Sequence, residues 1–343
     1  MENCINRKVI IVGAGPAGLS LGYYLQKNNI DYLILEKNTI VGASWTQMPD
    51  HLHLISLWSS NCLLKEDLEL WPANKAHSAK EFAEYLMGFA KKHRLNCELN
   101  ASVLEINKVN GQFIVKTQSE QFISEIVVDC RGYFNSPHIP HLNIIGQPPF
   151  MMHFKDYKNC GQLSEYKRIL IVGKRLSAGQ LLCELAYGRH ELFLSARSKI
   201  NYSPRTFILN FFLRHLNFFE NIKKRLASNL KIEVEVPMHF KAKKIVEKKV
   251  KLRGDILKIE NKKVTFMSGG AEEIDAIVFA TGFRPQSVRL KDDFESLTDD
   301  GLYYLGRGAQ RTFTSRFIRG IREDAPILCQ LILGKLESRN KLQ

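Results

Sequence analysis

At 343 residues with 45% hydrophobic content the chain exceeds one usual core and can fill two domains, while no apolar run approaches the roughly 18 residues of a membrane span. Seven scattered cysteines, with no CxxC and no Cys/His cluster at zinc spacing, argue against a dithiol centre or a metal and predict buried thiols. The net charge of +14 concentrates in Lys223-Lys224-Arg225 and from Lys241 to Arg253; no nucleic-acid-binding motif accompanies it, and a basic face serving phosphorylated cofactors accounts for the same residues.

The first strand, Val9-Ile10-Ile11-Val12, begins too early to leave room for a signal peptide, so a cytoplasmic protein is expected. It runs into Gly13-Ala14-Gly15-Pro16-Ala17-Gly18 and then a helical stretch. Gly13 permits a tight strand-to-helix turn, Gly15 lets the backbone approach a pyrophosphate, and Gly18 lets the helix pack closely on its strand. A second apolar run, Tyr32 to Leu35, ends in Glu36 at the spacing where a carboxylate accepts from a ribose hydroxyl. That charge repels a 2'-phosphate, so FAD or NAD is expected at this first site rather than NADP. Pro16, Ala17 and Lys37 join the glycines and Glu36 as cofactor-binding candidates.

Gly42-Ala43-Ser44-Trp45 follows, then Leu52-His53-Leu54-Ile55-Ser56, whose alternation predicts a short strand, and Trp58-Ser59-Ser60-Asn61-Cys62. Ser78 and Glu81 form a capping box ahead of a helix bearing Phe82, Leu86, Phe89 and Ala90 on one face. Stretches 101–106, 113–117 and 122–128 read as a small antiparallel meander, closing in Asp129-Cys130-Arg131-Gly132.

The strand, GAGPAG, the terminal Glu36 and the small-residue loop closing on Trp45 resemble the class B flavoprotein monooxygenases, the family of flavin-containing and Baeyer-Villiger monooxygenases. The resemblance implies FAD in the first fingerprint, with Ser44 and Trp45 packed beside the flavin, Ala43 standing where the family has a second glycine. It implies that His53 also contributes to the cofactor site and that the Val103 backbone lies near adenine. Asn61 matches a family asparagine near the flavin C4a, where a non-titrating amide can donate to a peroxide oxygen; the other reading is a turn asparagine bonding its own backbone. Cys-Arg-Gly at 130–132 departs from the family's ATG. Only HxxxY, His153 and Tyr157, survives of the fingerprint expected around 147–157, a segment read as an interdomain link, with a surface-loop histidine as the other reading of His153.

Arg168-Ile169-Leu170-Ile171-Val172-Gly173 repeats the opening pattern, and Glu191 to Leu194 leads into Ser195-Ala196-Arg197. A guanidinium there suits a 2'-phosphate, so NADPH is expected at this second site, held by Gly173, Arg175, Ser177, Ser195 and Arg197. Arg175 stands where the middle glycine belongs and Ala178 where the last does. Either Arg175 turns outward and pairs with phosphate, or the site is a relic. The aromatic run from Tyr202 to Phe219 reads as a buried helix, a substrate wall or a membrane-surface segment. Asp275 to Gly282 matches the family's second ATG strand and brings Thr281 and Gly282 to the cofactor; Gly301 to Gly306 resembles its closing strand, and Ile318 to Leu333 reads as a final helix.

The expected fold is α/β, a Rossmann-like FAD domain (1–150 and 271–343) interrupted by a smaller Rossmann-like NADP domain (151–270). The resemblance implies an oxidoreductase in which NADPH reduces FAD, O2 adds to the reduced flavin, and a C4a-(hydro)peroxyflavin oxygenates a small organic substrate. The alternatives are an NADPH or flavin oxidase releasing peroxide and a non-catalytic FAD-binding protein. Expected partners are the small-molecule substrate and O2, with a homodimer allowed for and no nucleic acid.

Overall fold

In the computed structural model, which describes residues 4–132, 134–204, 236–284, 287–308 and 310–340, the opening apolar run is β1 (Cys4–Val12), followed by α1 (Pro16–Lys27) and β2 (Tyr32–Leu35). Two helices come next, the short α2 (Ala43–Thr46) and α3 (Ala79–Lys92). The capping box forms as expected: Ser78 Oγ accepts from Glu81 N at 3.1 Å and Glu81 accepts from Ser78 N at 2.8 Å. A hydrogen bond from Lys75 to the same carboxylate, ahead of the Ser78 backbone donor, holds the Glu81 pKa down at about 2.

The first sheet has seven strands, in the order β3 (Cys97–Glu98), β2, β1, β6 (Gln121–Asp129), β5 (Gln112–Lys116), β4 (Glu105–Val109). β6 pairs parallel with β1 along its length and divides its other edge, residues 121–124 antiparallel with β5 and 127–129 parallel with β16 (Leu302–Tyr304). Alternation sends Val9 and Ile11 into a core shared with α1, α3 and α6 (Ile318–Asn340), and Ile10 and Val12 into an opposite core with Leu33, Leu35 and Phe113.

The second sheet repeats the plan. β9 (Arg168–Val172) leads to α4 (Leu176–Leu185) and β10 (Glu191–Ser195), and five parallel strands run in the order β11 (Val250–Arg253), β10, β9, β15 (Ala276–Phe279), β8 (Phe150–His153). Ile169 and Ile171 pack toward α4 and α5 (Ala242–Lys249). Leu170 and Val172 face a four-stranded sheet of β14 (Ala271–Glu273), β13 (Lys263–Phe266), β12 (Ile256–Glu260) and β7 (Ile144–Ile145), through Ile259, Val264 and Phe266. The α/β architecture with two Rossmann-like units is therefore present.

Several local expectations change. The segment read as a link contains β8, an edge strand whose partner β15 lies far along the chain, and His153 at its end is buried, its Nε2 3.0 Å from Gly282 O. β15 stays in the second sheet, so the chain returns to the first between Phe279 and Leu302, beyond residue 270. Leu52–Ser56 supplies an isolated bridge, His53 to Ser78, in place of a strand. β4 begins at Glu105, after an irregular stretch that ties Ala101 N to Glu36 O at 2.8 Å. α6 continues past Leu333 to Asn340. Cys62, Cys130 and Cys329 are buried, whereas Cys4 and Cys160 are exposed thiols. Tyr202 is described and packs on the second core, but the aromatic run from 205 onward and Lys223-Lys224-Arg225 lie outside the described residues. No helix among the described residues is long and apolar enough to cross a membrane, and no group of acidic, His or Cys side chains gathers as a metal site.

A Cβ on Gly18 would fall 2.0 Å from Gly13 O, whereas one on Gly15, whose φ is −86°, meets nothing within 4 Å. Gly18→Ala is therefore expected to lower unfolding stability by about 2 kcal/mol or more, and Gly15→Ala by less than about 1 kcal/mol. Urea denaturation of both variants checks this; equal losses would contradict the packing described.

Candidate functional site

The first glycine turn leaves the amides at the start of its helix uncapped by any side chain. Gly13 adopts φ +105°, a conformation that a side chain would strain, and a Cβ there would lie 3.0 Å from Cys130 O. Gly15 is the residue just before α1, Pro16 opens the helix, and the first turn carries neither a side-chain cap nor an acidic residue. Helix amides and the positive end of the helix dipole are thus left for a ligand. Glu36 at the end of β2 is 8% exposed; its Oε2 accepts from Ala14 N at 2.8 Å, and its Oε1 from Asn38 N and Nδ2 at 3.0 and 2.6 Å. The carboxylate braces the turn and retains further lone pairs for a hydroxyl. Lys37 is exposed and its Nζ donates to Asn135 Oδ1 at 3.1 Å.

Around this turn the predicted residues divide. Gly42 N bonds to Ala14 O at 2.9 Å, which seats α2 beside the turn; Ser44 on it is exposed, and Trp45 packs edge-on against Phe82 at 4.6 Å. Asn61 is 2% exposed, donating from Nδ2 to Ser56 O at 2.9 Å and accepting from Ser56 Oγ at 2.7 Å. Those bonds make it a loop-organising asparagine, with one amide hydrogen not spent on Ser56. Arg322 of α6 holds the same loop, reaching Cys62 Sγ at 2.7 Å and Ser59 O at 3.3 Å. His53 is exposed, its Nδ1 3.0 Å from His51 O, and Val103 is half-buried against the Leu33 core.

Sequence reasoning missed one part of the site. Asp129, at the end of β6, is 2% exposed and receives Arg131 through Nε at 3.1 Å and Nη2 at 2.7 Å, and Arg307 through Nη2 at 2.9 Å. Burial works to raise this carboxyl, but the bonds from Arg131 and the charges of both arginines hold it below its usual range. Arg307 follows Gly306, where a Cβ would lie 3.2 Å from Ala17, so this ion cluster adjoins the amino end of α1. The only local signals are the departure at Cys-Arg-Gly and the Gly306-Arg307-Gly308 run.

The second turn follows the first with one exchange. Gly173 has φ +141°, and a Cβ on it would fall 2.4 Å from Ala280 O. Arg175 takes the place of Gly15 with extended backbone (φ −110°, ψ −164°) ahead of an uncapped α4. Its backbone bridges Pro237, and a small pocket here is lined by Lys174, Arg175, Asn201, Val236 and Pro237. Ser177 lies in the first turn of α4, and Arg197 is exposed. Lys174 Nζ donates to Ser198 Oγ at 2.7 Å. Ser195 is 2% exposed and donates from Oγ to Gly254 O at 2.8 Å. Thr281 bonds His138 O, and Gly282 accepts from His138 N at 2.8 Å, so these two tie the segment after β15 to the loop between β6 and β7.

A family model described as pyridine nucleotide-disulphide oxidoreductase matches residues 10–316. The chain belongs to that family. It is an oxidoreductase. It is 27% identical over 351 residues to the "Uncharacterized oxidoreductase CzcO" of Bacillus subtilis, covering 95% of this chain and 99% of that one. Among solved structures, a flavin-containing monooxygenase from Stenotrophomonas maltophilia has the same fold (TM-score 0.79, 18% identity, 97% and 99% of the two chains covered). So does OTEMO in complex with FAD and NADP (TM-score 0.72, 14% identity, 98% and 86% covered).

The Asn61 loop rests on a histidine. Leu54 N bonds to His77 O at 2.8 Å, and Trp58 N to Lys75 O at 2.9 Å. The His77 ring is fully buried, 5.0 Å from Trp58 and 4.5 Å from Trp71, with neither nitrogen partnered among the described residues. Burial first, then the charge of Lys75, lowers its pKa from 6.5. Below about pH 6.5 the unfolded chain takes up a proton that the folded one refuses, so stability is lost as pH falls. Unfolding free energy is expected to drop as pH falls below about 6.5, and His77→Phe to flatten that drop; a variant with the wild-type pH slope in urea denaturation would rule the contribution out.

Proposed function

We propose that this oxidoreductase binds FAD at the first turn and NADPH at the second, and is a flavin-dependent monooxygenase that oxygenates a small organic substrate. The observation that carries the reading is one turn design used twice with different residues on it: the Glu36 carboxylate bonds the first turn, whereas Lys174 and Arg175 line a pocket at the second and Arg197 is exposed two residues beyond Ser195. The division at 1–150, 151–270 and 271–343 belongs to the same reading, with the later seam moved beyond Phe279. The fold shared with a flavin-containing monooxygenase and with OTEMO, solved with FAD and NADP, supports it.

Bound FAD, reduced by hydride from NADPH, supplies the activation of O2. The chain's own residues bind, orient and exclude water. Gly13, Gly15 and Gly18 let the amides at the start of α1 reach a pyrophosphate, and Glu36 accepts from an adenosine ribose. Arg197 and Arg175 give the second site the cations that a 2'-phosphate needs, and Arg175 does so from a backbone that matches that of Gly15. Asn61, oriented by Ser56, offers its remaining amide hydrogen to oxygen; Ser44, Trp45 and the Val103 backbone complete the assignment to the flavin side.

The test follows the flavin colour in the absence of air. NADPH is expected to bleach it at least about tenfold faster than NADH, and Arg197→Ala to remove the preference, since a charged phosphate contact is worth about 1.5–3 kcal/mol. On readmitting O2 with substrate, Asn61→Ala is expected to divert NADPH electrons to peroxide. Flavin that neither nucleotide bleaches would overturn the NADPH site, and peroxide formed one-for-one with NADPH by the wild type across a substrate screen would make the protein an oxidase.

A further inference from the structure

We propose that Arg131 is the cation that receives the pyrophosphate of the dinucleotide at the first turn, an inference that rests on that turn holding FAD. Its backbone is already there: a Cβ on Gly13 would lie 3.3 Å from the Arg131 Cα. The turn also needs a cation, because Glu36 is buried in it as a bonded carboxylate and a pyrophosphate brings two further negative charges.

The ion cluster at the end of β6 leaves one positive charge in excess. Asp129 is 2% exposed and Arg307 belongs to the buried residues, so those two make a neutral buried pair. Arg131 has a side chain 40% exposed and is the second guanidinium on a single carboxylate. It spends Nε and one Nη2 hydrogen on Asp129, and its Nη1 has no partner among the described residues. The two-point contact with Asp129 fixes the plane of the guanidinium before any ligand arrives, so little side-chain freedom remains to be lost on binding. Asn135 joins Lys37 to the same strand end, donating to Arg131 O at 3.0 Å and accepting from Lys37 Nζ at 3.1 Å, which adds a second cation to the rim. Asp129 and Arg307 are positioning residues in this arrangement.

The experiment is FAD titration of the deflavinated full-length protein at two ionic strengths, followed by flavin fluorescence, with ADP and adenosine as competitors. Arg131→Gln is expected to weaken FAD and ADP binding by about 10- to 100-fold, to flatten the salt dependence and to leave adenosine unchanged, with Arg131→Lys in between. Wild-type FAD affinity and salt dependence in Arg131→Gln would overturn the proposal. So would equal losses of ADP and adenosine binding alongside a lowered melting temperature, which would make the arginine a purely structural clamp. Failure of the wild type to bind FAD at any concentration would instead overturn the reading of the first site, and this inference with it.

Discussion

In the first unit the helix aims its amino end across the carboxyl end of its strand by letting the two backbones touch, at Gly18 against the Gly13 carbonyl. Any side chain at 18 would sit 2.0 Å from that oxygen. The closeness sets the direction of α1, and with it where the uncapped amides point, which edge of α1 meets Gly306 and Ile321, and how α6 packs on the first core. Glu36 completes the geometry from the other side by bonding Ala14 N, so the turn is held by a neighbouring strand as well as by its own glycines. A site of this kind is a consequence of packing before it is a matter of recognition.

The second unit reaches the same end by different contacts. Gly173 lies against Ala280 O as Gly13 lies against Cys130 O, each turn resting on the end of the next strand of its sheet. Ala178 is fully buried where Gly18 would be, and the next residue, Gly179, makes a close approach of another kind, with a Cβ there falling 2.6 Å from the Met238 side chain ahead of α5. Because the middle position requires only extended backbone, Arg175 is accommodated by the fold. The exchange therefore alters what a ligand meets, while the turn itself survives.

Much of this was legible in the sequence because it is local. Strand, turn and helix at 9–27, the Ser78 capping box and β9 follow from residue pattern, glycine spacing and capping chemistry, and β15 and α6 from the resemblance to the family's strand and closing helix. The parts that were not legible depend on distant partners. β8 has prolines before it and no alternation, and becomes a strand through β15, more than a hundred residues on. Arg307 and Asp129 are 178 positions apart, and nothing near either one announces the other. The Leu52–Ser56 alternation is real, but its one bridge to Ser78 leaves it a loop braced by His77 and Lys75. Beyond Leu333 the apolar face continues through Leu336, 4% exposed in the first core, and Arg339 reaches Glu125 O at 2.9 Å and Asp300 at 3.0 Å and carries the helix on.

The central claim is that the first turn's fold and its ligand are separable, with Gly15 serving the ligand alone. The most direct measurement is the flavin content and circular dichroism of purified Gly15→Arg beside the wild type, a substitution that gives the first turn the side chain of the second. The account predicts about one FAD per wild-type chain, and a variant with the same secondary structure and no flavin. A Gly15→Arg protein that kept a full complement of FAD would contradict it.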